Sequence, residues 1–169
     1  MSPRKLVLVA EDNPNDVLLL KYSVARAGIE LAINFVRDGE EVLSYLKGEG
    51  EFADRQVHPF PELLLLDLKM PRLDGFDVLA WVRQQPDFKR LLIVVLTSST
   101  QLKDINRAYD LGVNSYLVKP SDFRMLSSMI EKLQKYWLEL NLSPEQPSRV
   151  QGSFVEGISN YGIGVDRPL

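Results

Sequence analysis

Residues Leu63-Leu64-Leu65-Leu66 are apolar at every position, with Pro61 shortly before them and Asp67 directly after. A strand with one face in water alternates apolar and polar side chains, so an unbroken run needs cover on both faces, the environment of a parallel sheet between helical layers. The pattern recurs at Leu6-Val7-Leu8-Val9-Ala10 and Leu92-Ile93-Val94-Val95-Leu96 and in shorter form at 116–118, and a further strand fits 33–36, where Asn34 interrupts the apolar run. Helical stretches separate the runs. Asn13-Pro14 supplies an N-cap and a first helical residue, Val17, Leu20, Val24 and Ala27 form an inner stripe, and Gly28 ends the helix. A second helix fits 40–46, and a third starts at Asp74-Gly75 and runs through Phe76, Leu79 and Val82. A fourth fits 102–111 and is closed by Gly112. A long fifth, from 122 to about 140, carries Phe123, Leu126, Ile130, Leu133, Trp137 and Leu140. Five strand–helix units follow in order, which predicts an α/β fold.

Each apolar run ends in polar chemistry. Glu11-Asp12 follows the first run, Asp67 the third, Thr97-Ser98 the fourth, and Lys119-Pro120 the fifth. In a parallel sheet the carboxyl ends of the strands open onto the crevice where ligands bind, so these residues share one rim. Adjacent acids crowded there repel one another unless a cation joins them, and hard divalent cations take oxygen ligands. A cation, a hydroxyl and an ammonium together make a site for a phosphoryl group. Pro120 restricts Lys119 to an extended backbone. In Thr97-Ser98-Ser99-Thr100 the spacing predicts Thr100 as the N-cap of the fourth helix, leaving Thr97 for the site.

Other features are bland or exclusive. Twenty Lys and Arg face 23 Asp and Glu, a net charge of −3 that predicts no general attraction to nucleic acid or to an acidic membrane. Cysteine is absent, which removes disulfides and thiolate metal sites and fits a reducing compartment. The apolar run before Glu11 is too short for a signal-peptide core and none could span a bilayer, so the expectation is a cytoplasmic protein. His58, the only histidine, has no partner at metal-ligand spacing. Gly48-Glu49-Gly50-Glu51-Phe52-Ala53 formally fits a dinucleotide fingerprint, but it follows a helix and its glutamates would repel a pyrophosphate. The connection 48–61 is unusually long and is a candidate contact loop. Beyond 140, Pro144, Pro147, Gly152, Gly157, Gly162, Gly164 and Pro168 break any pattern, so 141–169 is expected to be a disordered or loosely docked tail.

Taken in order, Ala10-Glu11-Asp12-Asn13-Pro14, Leu66-Asp67-Leu68-Lys69-Met70-Pro71 with Asp74-Gly75, Leu96-Thr97-Ser98 and Tyr116-Leu117-Val118-Lys119-Pro120 resemble the receiver domain of two-component response regulators. The resemblance covers residues 5–140. It implies a doubly wound, flavodoxin-like fold with a five-stranded parallel sheet in the order 2-1-3-4-5. Residue by residue it implies Asp67 as phosphoacceptor and Lys119 as the cation that neutralises the phosphoryl group. Glu11, Asp12, Asp67 and the backbone carbonyl of Lys69 would form a magnesium (Mg2+) site, with Thr97 and Tyr116 as switch hydroxyl and switch aromatic. The implied partner is a histidine kinase. The segments Gly48-Glu49-Gly50-Glu51-Phe52-Ala53, Arg107-Ala108-Tyr109-Asp110-Leu111-Gly112 and Lys135-Tyr136-Trp137 are similar in particular to stand-alone receivers that serve phytochrome kinases.

The chemistry of such a switch is spare. A carboxylate that attacks phosphorus forms a short-lived acyl phosphate, and the transfer needs mainly positioning and neutralised charge. The expectation is a signalling protein rather than an enzyme. An aspartate-nucleophile phosphatase would carry a second Asp two residues after the nucleophile, and Lys69 stands there. An interaction module that has abandoned phosphorylation would lack an acid, the Thr or the Lys, and all are present. Lys69 and Ser99 are expected to face the route of attacking water and to slow loss of the phosphoryl group. The face formed by the fourth helix, fifth strand and fifth helix is expected to make a homodimer or kinase contact, with Trp137 and Leu140 at its end.

Overall fold

The computed structural model describes residues 5–145. Most of the expected tail therefore lies outside the described residues. Five parallel strands form one sheet in the order β2-β1-β3-β4-β5, as the resemblance implied. They are β1 (Leu6–Ala10), β2 (Ala32–Val36), β3 (Leu63–Leu66), β4 (Leu92–Thr97) and β5 (Ser115–Val118). Between and after them run α1 (Pro14–Arg26), α2 (Gly39–Lys47), α3 (Gly75–Gln84), α4 (Leu102–Asp110) and α5 (Phe123–Leu133).

The period-two geometry of a strand sorts alternate residues onto opposite faces. Leu6, Leu8, Leu64, Leu66, Ile93 and Val95 pack with Val42, Leu46, Leu79 and Val82 of α2 and α3 and with Ala108 of α4. Val7, Val9, Leu63, Leu65, Leu92, Val94 and Leu96 pack on the other face with Leu20 of α1 and Leu126, Ile130 and Leu133 of α5. The central strands β1, β3 and β4 are buried throughout, which is why their sequences show no alternation. Truncating one of these leucines to Ala would cost about 2–5 kcal/mol.

Local signals place the helices. The Asn13 side chain accepts from the Asn15 amide, Asp38 from Glu41 and Asp74 from Asp77, each an N-cap satisfying an amide at a helix start. Gly48, at φ 71°, closes α2 in the left-handed conformation. The long connection after it is no free loop. Arg55 donates to the carbonyls of Tyr45 (2.8 Å), Leu46 (2.6 Å) and His58 (3.2 Å), supplying donors to the end of α2. Phe52 is buried beneath this turn, and the His58 ring stands edge-on to Tyr45 and Phe52.

Two sequence expectations are corrected. Gln101, rather than Thr100, caps α4, and it does so without a side-chain bond. The fifth helix is not α-helical to residue 140, because a π-helical segment, Gln134–Leu140, follows Leu133. Asn141 donates to the Tyr136 carbonyl five residues back (2.8 Å). The wider turn sets Leu138 five residues beyond Leu133, so both are buried, while Trp137 is half-buried and Leu140 is 66% exposed.

Candidate functional site

The sheet ladder continues one residue past several strands and thereby builds the rim. The Glu11 amide donates to the Val36 carbonyl (3.0 Å), the Asp67 amide to Ala10 (3.1 Å), and the Lys119 amide to Thr97 (2.8 Å). Backbone pairing alone thus fixes where three charged side chains leave the main chain. Gly75 brings the start of α3 against this rim, because a Cβ there would lie 2.4 Å from the Asp67 carbonyl oxygen.

The side chains converge on Lys119. Its ammonium donates to Asp67 Oδ2 (2.7 Å), to Asp16 Oδ2 (2.9 Å) and to Glu11 Oε2. The other oxygen of Asp67 accepts from the Lys69 amide (3.2 Å), and Glu11 Oε1 from the Asn13 amide (3.0 Å). Glu11 and Asp67 are each 6% exposed, whereas Asp12 is exposed. Burial by itself would pull the Lys119 ammonium down, but the bonds from Asp67, Glu11 and Asp16 outweigh it and hold its pKa above the ordinary value. Burial pushes the Glu11 carboxyl up; the Lys119 bond and the Asn13 amide oppose that, and the negative charge of Asp67 adds to it.

Glu11, Asp12 and Asp67 each offer an oxygen, and these oxygens lie within 4.8 Å of one another. The donor set is all oxygen and anionic, and a buried carboxyl already pushed toward its neutral form marks the place where added positive charge would be welcome. The residues present fit a hard divalent cation.

Thr97 is wholly buried at the end of β4, and its Oγ1 accepts from the Ser99 amide at 3.5 Å. The Tyr116 hydroxyl donates to the Ser99 carbonyl (3.1 Å), so both expected switch residues hold the same loop. Ser99 is buried, and its hydroxyl donates to Asp104 Oδ2 in α4 (2.5 Å). Lys69 is exposed. Sequence reasoning missed Asp16. Its only signal was position, the third residue of a helix that begins beside the acidic pair.

The model of the response regulator receiver domain matches residues 7–131. Response regulator Rcp1 of Synechocystis sp. is 36% identical over 138 residues, covering 82% of this chain and 92% of that protein. Its manganese-bound form superposes with a TM-score of 0.73 at 35% identity, covering 83% of this chain and 99% of that one. The response regulator RPA3017 in red light signaling of R. palustris gives a TM-score of 0.80 at 41% identity, covering 84% and 99%. The phosphorylated cyanobacterial phytochrome response regulator RcpA gives 0.77 at 35% identity, covering 85% and 100%. Sheet order, rim chemistry and these likenesses agree, and the chain belongs to the family of response regulator receiver domains.

Proposed function

We propose that this response regulator accepts a phosphoryl group on Asp67 from a histidine kinase, in a site completed by Mg2+, and passes the signal on by protein contact. The observation that carries the reading is the meeting of Lys119, 2.7 Å from Asp67, with three carboxylates whose oxygens lie within 4.8 Å. An oxygen of the Asp67 carboxylate attacks the phosphorus of the donor phosphohistidine. The P–N bond breaks and its electron pair returns to the imidazole. Lys119 balances the charge of the transferred group. Glu11, Asp12, Asp67 and the Lys69 carbonyl would hold Mg2+, which supplies the remaining positive charge.

The Thr97 hydroxyl is the switch group and Tyr116 the switch aromatic, a role supported by their shared hold on the loop through Ser99. Thr97 shifts toward the phosphoryl oxygens, and the changed loop biases α4 and β5. The face of α4, β5 and α5 makes a homodimer or kinase contact. Exposed Leu102 and Tyr109 on α4, Val118 on β5 and Met125 on α5 support it. A phytochrome-type kinase is the partner favoured by the likeness to the phytochrome response regulator RcpA, and the likeness to RPA3017, a regulator in red light signaling, fits it. No helix among the described residues is long and apolar enough to cross a membrane, and with the net charge of −3 this supports a cytoplasmic protein that binds neither membrane nor nucleic acid. Hydrolase chemistry is disfavoured because Lys69 occupies the place of a general acid.

The test is incubation with acetyl phosphate and Mg2+, followed by mass spectrometry of the intact chain. The expected result is a labile phosphoryl adduct on Asp67 that is lost in Asp67→Asn and in the presence of a chelator. Undiminished labelling of Asp67→Asn overturns the assignment.

A further inference from the structure

Asp16 is the third residue of α1, where an acidic side chain ordinarily reaches back to the N-cap amide. That amide, from Asn13, is already taken by Glu11 Oε1 at 3.0 Å. Asp16 turns instead to the sheet rim and accepts from Lys119 Nζ at 2.9 Å. An ammonium has three donors. Those of Lys119 are divided among Asp67, Asp16 and Glu11. Glu11 and Asp67 belong to the trio of acids whose oxygens converge; Asp16 does not.

We propose that Asp16 is a positioning residue that anchors the Lys119 ammonium on the α1 side of the site, so that Glu11 and Asp67 are free to turn to a divalent cation. The inference rests on reading Glu11, Asp12 and Asp67 as a cation site. A cation entering that trio competes with Lys119 for two of its three acceptors, and two positive charges in one buried pocket repel. Asp16 supplies the acceptor that survives the exchange. The ammonium keeps a fixed partner, is drawn off the trio, and stays poised for the phosphoryl oxygens that arrive later. Without Asp16 the ammonium would settle wholly on Glu11 and Asp67, the two groups the cation needs.

The competing role is a helix-end one, since an acid in the first turn of a helix is favourable whatever else it touches. A second competitor is bulk charge, the removal of any nearby anion weakening a cation site. Both are separable by titrating Mg2+ into the full chain by calorimetry, with melting temperatures taken in chelator. The variants are Asp16→Asn and Asp16→Ala, each also in a Lys119→Met background.

The expected result is Mg2+ affinity weakened about fivefold by either substitution, shrinking to less than about twofold once Lys119 is gone. An equal shift in both backgrounds overturns the proposal in favour of bulk charge. Unchanged affinity with a lowered melting temperature overturns it in favour of the helix-end role. A wild-type chain that takes up no Mg2+ overturns the cation-site reading itself, a failure visible before any variant is measured.

Discussion

Lys119 Nζ stands 2.7 Å from Asp67 Oδ2, although 52 residues and the whole of β4 separate them. Lys119 reaches over the end of β4, where its own amide is tied to Thr97. One ammonium thereby serves acids from two other strands and from α1, leaving more negative charge than it can balance.

That imbalance has a pH signature. Glu11 lies above its ordinary value of 4.5, first through burial, with Asp67 adding to the rise. A carboxyl raised on folding binds more protons folded than unfolded in the window above 4.5, so metal-free stability falls as pH rises through that window. A divalent cation binds only the ionised form, so its affinity climbs over the same interval and its uptake releases protons. Calorimetry in buffers of different ionisation heat should detect the released proton. Glu11→Gln should abolish both the release and the slope, and an unchanged slope in that variant would count against Glu11 as the group responsible.

Loss of the phosphoryl group should be slow. Ser99 does not face attacking water as the sequence alone led one to expect, because its hydroxyl is committed to Asp104. Ser99→Ala should loosen the first turn of α4, at a cost of about 1 kcal/mol, and leave the decay rate near that of the wild type. Lys69→Ala should hasten decay severalfold by removing a flexible cation from the mouth of the site. Decay followed by mass spectrometry after desalting decides it, and equal rates for wild type and Lys69→Ala would remove Lys69 from the account.

The loop after β3 is latched to α2. Arg72, at φ 64°, pairs with Asp38, which is wholly buried at the cap of α2. Arg72→Ala should destabilise the chain by about 1–2 kcal/mol, because a buried carboxylate loses a charged donor that is itself half in water. Arg72→Gly should cost about 1 kcal/mol less, since glycine holds a positive φ without strain. Urea denaturation compares the two, and identical midpoints would show that the backbone there is unstrained.

Self-association, if it uses the face of α4, β5 and α5, should depend on side chains that reach solvent. Trp137 packs half-buried against the core below α5, so Trp137→Ala is expected to perturb packing as well as contact. Tyr109→Ala and Leu102→Asp test the surface more cleanly. Sedimentation at micromolar concentration, with an acyl-phosphate mimic, should show association weakened at least fivefold by each, and preserved when residues 143–169 are removed. A chain that is monomeric throughout leaves only the kinase contact.

Much of the local geometry, and the chemistry at the ends of the strands, was legible in the chain before it folded. Unbroken apolar runs specified buried parallel strands, Asn13-Pro14 specified the cap of the first helix, and Asp67 and Lys119 directly after their runs specified one rim, whereas capping by Asp38 and Asp74 appeared only in the folded chain. These features are legible because a strand has a period of two, a cap acts over three residues, and a parallel sheet delivers all its carboxyl ends to the same side. Docking of the elements onto one another chose the partners of the polar side chains that reach beyond their own turn. Asp16 found Lys119, Arg72 found Asp38, Ser99 found Asp104, and Arg55 found the end of α2. It also decided the π-helical end of α5, where burying Leu138 beneath the sheet outweighed the stripe that pointed to Trp137 and Leu140. The cause is reach: a flexible side chain can satisfy its charge with any partner within several ångströms, and only the docking of helices onto the sheet fixes which partners those are.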